Sequence, residues 1–242
     1  MQEIITSPTN DEEQYRQYKR MRRLEEARAS VSKIECDCLS LFMNRASLKQ
    51  ACHTANELRL GAVVTFPSLI KQCVSYLGSD PKVALIASVS HPDGGETTAV
   101  KVAAVKRAVK DGVDEVEVAA PVTYIRDGNW AYFKKECKKL KKAAKMRALR
   151  IVLDCNVLGE KDAIKAAMVA ADVGVNCIRL NGAGGEFVTK VKTTLKGKCL
   201  IKCDGATTPA SFANFCVLGA DTVSCVSACE LASFLLNEAE TV

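Results

Sequence analysis

The sequence predicts an α/β fold, a (β/α)8 barrel with one additional helix at its N-terminus. The 242 residues are 48% hydrophobic and 26% charged, which is typical of a folded domain with a large core. A short β-branched run followed by a longer stretch of helical spacing occurs eight times between residues 34 and 238. The runs are almost continuously apolar, as in parallel strands covered on both faces. An open doubly wound sheet is the alternative, but no G-x-G-x-x-G turn follows the first run.

The boundaries of the elements follow from these runs and from the turn residues between them. The predicted strands span residues 34–39, 62–66, 83–87, 115–119, 151–155, 175–180, 199–203 and 222–226. The predicted helices span residues 44–60, 68–77, 97–111, 129–147, 160–173, 185–195, 209–218 and 228–237. In the helix 97–111, helical spacing predicts an apolar face and an opposite charged face. The apolar face comprises Val100, Ala103, Ala104 and Ala108, and the charged face comprises Lys101, Lys106, Arg107 and Lys110.

Two parts of the chain are predicted: a charged helical extension, residues 1–33 with a helix over 1–30, and a barrel domain, residues 34–242. The extension lacks the apolar core of a secretory signal, and no run of 18 apolar residues occurs. We therefore expect no membrane association and a cytoplasmic location. The twelve cysteines lie mostly in apolar runs without paired C-x₂-C spacing, so we expect core thiols in a reducing compartment. Neither a metal nor another cofactor is expected.

Three predicted strands carry an ionisable residue where a core strand should be apolar: Glu117, Arg179 and Lys202. A fully buried charge costs several kcal/mol unless it is paired. One interpretation is an ion-pair cluster that fills the barrel. The other is a nucleophilic lysine whose pKa is shifted by neighbouring cations. Both remain open at this point.

Three loops near the ends of the later strands are candidate phosphate sites, because glycine amides and helix N-termini bind phosphate in such barrels. Glycine and serine are also ordinary turn residues, which is the alternative interpretation. The candidate substrate- or phosphate-binding residues are Asn181, Gly182, Gly205, Ala206, Ser224 and Ser227.

The stretch from Val83 to Val118, VALIASVSHPDGGETTAVKVAAVKRAVKDGVDEVEV, resembles the deoxyribose-phosphate aldolase family. The phrases GAVVTFPSLI, IVLDCNVL, GVNCIRLNGAGG, LIKCDGATT and GADTVSCVS follow in the family's order, so the resemblance covers about residues 34–238. It implies a TIM barrel and class I chemistry, the reversible cleavage of 2-deoxyribose 5-phosphate to acetaldehyde and glyceraldehyde 3-phosphate. It also implies that Lys202 matches a strand-seven lysine, that Glu117 replaces a strand-four aspartate, and that the Schiff-base lysine falls on Arg179.

Several positions depart from the pattern of the resembled family. A guanidinium stays protonated and cannot serve as a Schiff-base amine. The expected phosphate loop lacks a glycine and a basic residue, and Asp204 adds a negative charge. These departures favour a catalytically impaired member that acts as a binding or regulatory protein. The alternative is an active aldolase that uses Lys202, whose pKa Arg179 would lower by like-charge repulsion. A direct ion pair between Glu117 and Arg179 is expected in either case.

A run of lysines predicts a cationic stripe on the helix 129–147. Residues 134–150 contain nine basic residues and one acid, Glu136. The stripe comprises Lys134, Lys138, Lys141, Lys142 and Lys145. It is either a solvated helix face or a docking site for an acidic protein such as a cytoskeletal filament. Nucleic acid is not expected there because no aromatic residues interleave with the lysines. A sugar-phosphate ligand follows from the resemblance, and a homo-oligomer is left open.

Overall fold

A computed structural model describes residues 10–241 as a closed barrel of eight parallel strands. The strands lie in sequence order around the barrel, and the first pairs with both the second and the eighth. This confirms the predicted fold class. The strands are β1 (Ile34–Asp37), β2 (Ala62–Thr65), β3 (Ala84–Val89), β4 (Glu115–Ala119), β5 (Ala148–Asp154), β6 (Cys177–Asn181), β7 (Leu200–Asp204) and β8 (Thr222–Cys225).

Helices cover the outside of this barrel. They are α1 (Asn10–Val31), α2 (Arg45–Leu58), α3 (Ile70–Leu77), α4 (Thr98–Asp111), α5 (Val122–Arg126), α6 (Trp130–Ala144), α7 (Cys155–Asp172), α8 (Gly185–Leu195), α9 (Pro209–Val217) and α10 (Ala228–Thr241). All eight predicted barrel helices are present. The five-residue α5 is not predicted, because one turn is too short to show a helical period.

Among the boundaries that differ from the prediction, those of β5 and α7 have a local reason. The strand β5 begins three residues earlier, at Ala148, because Arg150 faces the barrel interior and does not interrupt the strand. The helix α7 begins at Cys155, because the Asp154 carboxylate accepts hydrogen bonds from two backbone amides of its first turn. Gly159, with φ 71°, then breaks the helical geometry inside α7.

The described part of the N-terminal extension is α1, which packs against α10. The first nine residues of the predicted helix 1–30 lie outside the described residues, and the division at residue 33 stays a prediction. Within residues 10–241, none of the helices combines the length and apolar character needed to cross a bilayer. Nine of the twelve cysteines are buried and three are half-buried, which confirms their predicted place in the core.

Two apolar regions stabilise the barrel. The outward side chains of the strands, such as Val116, Ile178 and Ile201, pack against the helices in one continuous core. A smaller cluster inside the barrel consists of Leu39, Ala62, Val64 and Ile86. Burial of each large aliphatic side chain stabilises the fold by about 1.5–3 kcal/mol. The inner apolar cluster draws on β2, β3 and the loop after β1, whereas the charged side chains of the interior lie on β1 and on β4 to β7.

The predicted faces of α4 are partly wrong. Val100 is 53% exposed, whereas Lys101 is completely buried. The Lys101 ammonium donates to the Ala119 carbonyl at 3.0 Å and pairs with the Glu136 carboxylate, also at 3.0 Å. These two acceptors, on β4 and α6, compensate the charge and rotate the buried face of α4 toward them. The buried residues of α4 are therefore Lys101, Val105 and Ala108.

Candidate active site

Glu117, Arg179 and Lys202 all point into the barrel. Each alternates along its strand with residues of the outer core, and strand side chains alternate between the two faces. Arg179 and Lys202 are direct neighbours in the register of β6 and β7. Glu117 reaches both of them from β4, across the interior. The three residues singled out in the sequence thus form one cluster.

The guanidinium of Arg179 is held by three carboxylates. Its Nε donates to Asp204 Oδ2 at 2.8 Å and its Nη2 to Asp37 Oδ2 at 2.9 Å, while Nη1 donates to Glu117 Oε1. The Glu117–Arg179 contact confirms the expected ion pair. Burial alone would lower the pKa of Arg179, but the three carboxylates outweigh it and raise the pKa well above its ordinary value. Arg179 is a permanent, fully paired cation.

Lys202 is completely buried and lies between two carboxylates. Its ammonium is 3.1 Å from Glu117 Oε2 and 2.8 Å from Glu35 Oε2. Burial and the nearby Arg179 lower the pKa of Lys202, but the two glutamates outweigh them and raise it. The expected lowering of this pKa is therefore wrong, because the sequence did not show Glu35 as a second counter-ion.

The charged contacts continue toward the N-terminal end of the barrel. Arg150 donates to Glu35 and to Glu115, each at 2.6 Å. Glu35 thus bridges Arg150 and Lys202, as Glu117 bridges Lys202 and Arg179. We call this connected set, five carboxylates and three cations, the ion-pair ladder. Its members are Glu115, Arg150, Glu35, Lys202, Glu117, Arg179, Asp37 and Asp204.

The pKa values of the buried acids follow from their places in the ladder. Burial opposes ionisation of Glu35, but Lys202 and Arg150 outweigh it and lower its pKa to about 2. The pKa of Glu117 is lowered in the same way, chiefly by Lys202 and Arg179. The pKa of Asp204 is raised, because burial outweighs its pairing with Arg179. Its other oxygen, Oδ1, is buried and has no hydrogen-bond partner within residues 10–241.

The candidate phosphate loops lie at the C-terminal ends of β6, β7 and β8. Gly182 has φ 72°, a left-handed conformation that favours glycine, and a Cβ there would lie 2.1 Å from the side-chain amide nitrogen of Asn156. Asn181 donates to Asp154 at 3.4 Å. A cavity of about 320 Å³ beside this loop is lined by Cys155, Glu160 and residues 182–187, without a lysine or arginine among them.

The loops after β7 and β8 meet through one backbone hydrogen bond, from Gly205 N to Ser224 O at 3.1 Å. The Ser224 hydroxyl, however, is buried and donates to Asp37 at 3.4 Å, inside the barrel. Ala206 is fully buried, and Ser227 is half-buried, with its hydroxyl 3.5 Å from Cys225 Sγ. The structure therefore brings Gly205 and Ser224 together but turns the Ser224 side chain toward the ladder.

Comparison with known proteins agrees with this architecture. The sequence profile described as "DeoC/LacD family aldolase" matches residues 24–212, more than half of the chain. The chain belongs to the DeoC/LacD aldolase family. Deoxyribose-phosphate aldolases of Clostridioides difficile and Clostridium botulinum are each 28% identical to it. The former alignment covers 80% of this chain and 90% of the relative, and the latter 69% and 85%.

A solved structure shares the fold of this DeoC/LacD-family chain. The tetrameric deoxyribose phosphate aldolase of Aeropyrum pernix superimposes with a TM-score of 0.74 at 14% identity. The alignment covers 89% of this chain and 94% of that aldolase. At this identity the likeness shows the barrel architecture alone.

Sequence reasoning missed three inward residues of this DeoC/LacD-family chain: Glu35, Asp37 and Arg150. The signal that could have found Glu35 and Asp37 is their spacing, since acids two residues apart on a short strand share one face. Lys202 and Asp204 repeat the same spacing on β7. Within residues 10–241, no three His, Cys, Asp or Glu side chains are placed to hold a metal ion.

The predicted lysine stripe lies on α6, with two departures. Lys134, Lys138 and Lys142 are exposed. Lys141 is half-buried and donates to Asn176 Oδ1 at 2.5 Å. Lys145 lies just beyond the helix and has φ 56°, because α6 ends at Ala144. The exposed part of the stripe on α6 therefore consists of three lysines, Lys134, Lys138 and Lys142.

Proposed function

We propose that this DeoC/LacD-family protein does not cleave 2-deoxyribose 5-phosphate through a Schiff base and acts as a binding or regulatory protein. The observation that supports this most directly is the ion-pair ladder, which engages Arg179 and Lys202 with four carboxylates. A Schiff base needs an unprotonated amine that reaches the substrate carbonyl. Neither cation meets that requirement.

The resemblance expects the Schiff-base lysine at Arg179. Three surrounding carboxylates hold this guanidinium in its protonated form and occupy its donors. A protonated guanidinium offers no lone pair to a carbonyl carbon. Replacement of lysine by arginine at that place would therefore remove covalent catalysis.

The alternative is an aldolase that uses Lys202 as its amine. The ammonium of Lys202 is completely buried, and Glu117 and Glu35 raise its pKa. Nucleophilic catalysis needs the opposite shift. Reaction at Lys202 would also require a substrate to pass the Arg179 contacts. These features favour the impaired protein over the alternative.

The loops also argue against tight binding of a phosphate monoester. The cavity beside Gly182 is lined by two carboxylates, Glu160 and Glu186. Asp204, at the end of β7, adds a third acid at this end of the barrel; Arg179 partly offsets its charge, as Lys190 partly offsets that of Glu160 at 2.9 Å. A sugar phosphate is the ligand class that the resemblance implies, and we expect its affinity to be low.

Reductive trapping tests the proposal. The amine adds to the aldehyde carbon of open-chain deoxyribose 5-phosphate, water leaves, and hydride from borohydride reduces the C=N bond to a stable secondary amine. We expect no adduct on the wild-type protein by mass spectrometry. The variant Arg179→Lys should form an adduct at that residue, more at pH 9 than at pH 7, because the carboxylates hold the new amine protonated. Arg150→Lys, at the other end of the ladder, is the matched control and should stay unlabelled.

Each other result has a defined meaning. A wild-type adduct mapped to Lys202 would overturn the proposal and establish the alternative. An Arg179→Lys variant that is folded but unlabelled at both pH values would contradict the placement of the Schiff-base position at residue 179.

We further infer that the stripe on α6 binds an acidic protein surface, such as that of a cytoskeletal filament. Its three exposed lysines share one helix face. Conversion of Lys134, Lys138 and Lys142 to Glu should abolish co-sedimentation with an acidic filament, and added salt should weaken the wild-type interaction. The control reverses three exposed lysines elsewhere, Lys49, Lys106 and Lys110. Equal loss in both variants would indicate a net-charge effect and reject the stripe.

The last proposal concerns the assembly and the location of the protein. The Aeropyrum pernix aldolase is tetrameric, and we propose that this chain also forms a homo-oligomer. We propose separately that it is located in the cytoplasm. Sedimentation equilibrium measures the assembly, and a monomer at micromolar concentration would reject it.

A further inference from the structure

The first half of α1 extends beyond the body of the protein. Every residue from 11 to 22 is exposed, whereas Leu24, Ala27 and Val31 are half-buried or buried where α1 packs on α10. Twelve helical residues at 1.5 Å each span about 18 Å. The profile match of the DeoC/LacD family begins only at residue 24. This part of α1 therefore precedes the segment that the aldolase family shares.

The exposed half of α1 combines cations with aromatic rings. Residues 14–23, QYRQYKRMRR, contain five basic residues, two tyrosines and no acid. We call them the basic-aromatic segment. Tyr15 and Tyr18 are 57% and 55% exposed. Helical spacing places both tyrosines with Lys19 and Arg22 on one face, and the Lys19 ammonium lies 4.6 Å from the centre of the Tyr15 ring.

A second copy of the chain does not fit this segment. A coiled-coil seam that starts with Tyr15 and Tyr18 would continue with Arg22 and Glu25, which are charged. The aromatic face of the segment is interrupted by Lys19 and Arg22, so it also offers no continuous apolar face for a groove or a bilayer. Parallel packing of two copies of the segment would place the five cations of one beside the five cations of the other, and these would repel. The five cations of the segment, of which Arg22 pairs with Glu26 at 3.2 Å, favour a polyanion as the partner.

We propose that the basic-aromatic segment of α1 binds single-stranded nucleic acid. The cations neutralise backbone phosphates, and the tyrosine rings stack on bases. Stacking on an exposed side chain requires unpaired bases, which a duplex does not present. This revises the expectation of no nucleic-acid partner, which rested on the absence of aromatic residues among the α6 lysines. Aromatic interleaving is present in α1.

Fluorescence anisotropy with labelled U20 RNA and the full chain tests this proposal. The variants Tyr15→Leu and Tyr18→Leu keep the helix and every charge, and each should weaken binding about fivefold or more. Tyr124→Leu, at another partly exposed tyrosine, is the matched control and should bind as the wild type does. Neutralisation of Arg16, Lys19 and Arg20 to Gln should weaken binding further and reduce its salt dependence. The wild-type slope of log K against log salt should be no steeper than about −3.5, the limit for five neutralised phosphates on a single strand.

Three outcomes would overturn the proposal. If the tyrosine variants bind U20 as tightly as the wild type does, the tyrosines do not stack on bases and the segment is a non-specific polyanion-binding surface. Equal or tighter binding to a 20-base-pair duplex would exclude stacking on unpaired bases. A third variant changes Lys134, Lys138 and Lys142 to Gln. If it weakens U20 binding as much as the α1 charge variant does, the binding site lies on α6 instead. Circular dichroism confirms that each variant is folded before binding is scored.

Discussion

Glu117 is the residue on which the ion-pair ladder depends most, and its replacement by Gln gives a quantitative test. The side chain is completely buried and places one oxygen on each of two cations, Arg179 and Lys202. Removal of one partner from a buried ion pair costs about 3–5 kcal/mol. Each cation retains another carboxylate in the Glu117→Gln variant, so we expect the lower end, about 3 kcal/mol. For a domain of this size that loss lowers Tm by about 6–12 °C.

Glu115→Gln is the matched control for this experiment. Glu115 is 25% exposed and contacts one cation, Arg150, which keeps its contact with Glu35. Solvent screens this pair, so the expected cost is about 1 kcal/mol or less. The assay is urea unfolding at pH 7, with the free energy of unfolding taken from the midpoint and slope. Equal losses for the two glutamate variants would refute the argument that Glu117 is the bridging anion of the ladder.

A second substitution separates loss of charge pairing from loss of packing. Lys202→Met in the Glu117→Gln background removes the cation that the first change leaves undercompensated. Each single change leaves an uncompensated buried charge, and the double change removes both members of the pair, so the double variant should be more stable than the sum of the two single changes predicts. Strict additivity would indicate that Glu117 and Lys202 do not interact.

Three further predictions concern pH, a buried lysine and a turn. Because the pKa of Glu35 falls from 4.5 to about 2 on folding, its contribution to stability is complete above about pH 4.5 and is lost toward pH 2. In the Glu35→Gln variant, the free energy of unfolding should therefore depend less on pH between about 4.5 and 2. Lys101→Met should lower the free energy of unfolding by about 3–5 kcal/mol, because it leaves the buried carboxylate of Glu136 unpaired. In the same urea assay, Lys106→Met at an exposed position should change it by no more than about 0.5 kcal/mol. Gly94→Ala should lower Tm strongly, since φ is 66° and a Cβ would lie 2.1 Å from the backbone carbonyl oxygen of Ala120. Gly95→Ala should be tolerated, because its Cβ would meet only the Asp93 side chain, at 3.4 Å. Similar Tm values for the two alanine variants would contradict the requirement for glycine at residue 94.

Much of the barrel was predictable because its signals are local. Each strand is a short apolar run and each helix has its own period, so eight repeats are visible without any long-range contact. The errors arise where a tertiary partner overrides the local pattern. Lys101 belongs to the charged face by periodicity, yet Glu136 of a neighbouring helix draws it into the core. Arg150 interrupts an apolar run, yet it lies within β5 because the barrel interior holds its counter-ions.

The sequence by itself determined the order of the elements, the barrel class and three of the charged residues inside it. Apart from the expected Glu117–Arg179 pair, only the tertiary structure decided which charges meet. Arg179 pairs with Asp37 across 142 positions of the chain, and Arg150 pairs with Glu35 across 115. Closure of β8 against β1 brings these residues into one interior of low dielectric constant, where each cation must find carboxylates or incur a cost of several kcal/mol. Charge and spacing along a chain do not specify such partners, because they are selected by burial in the closed barrel.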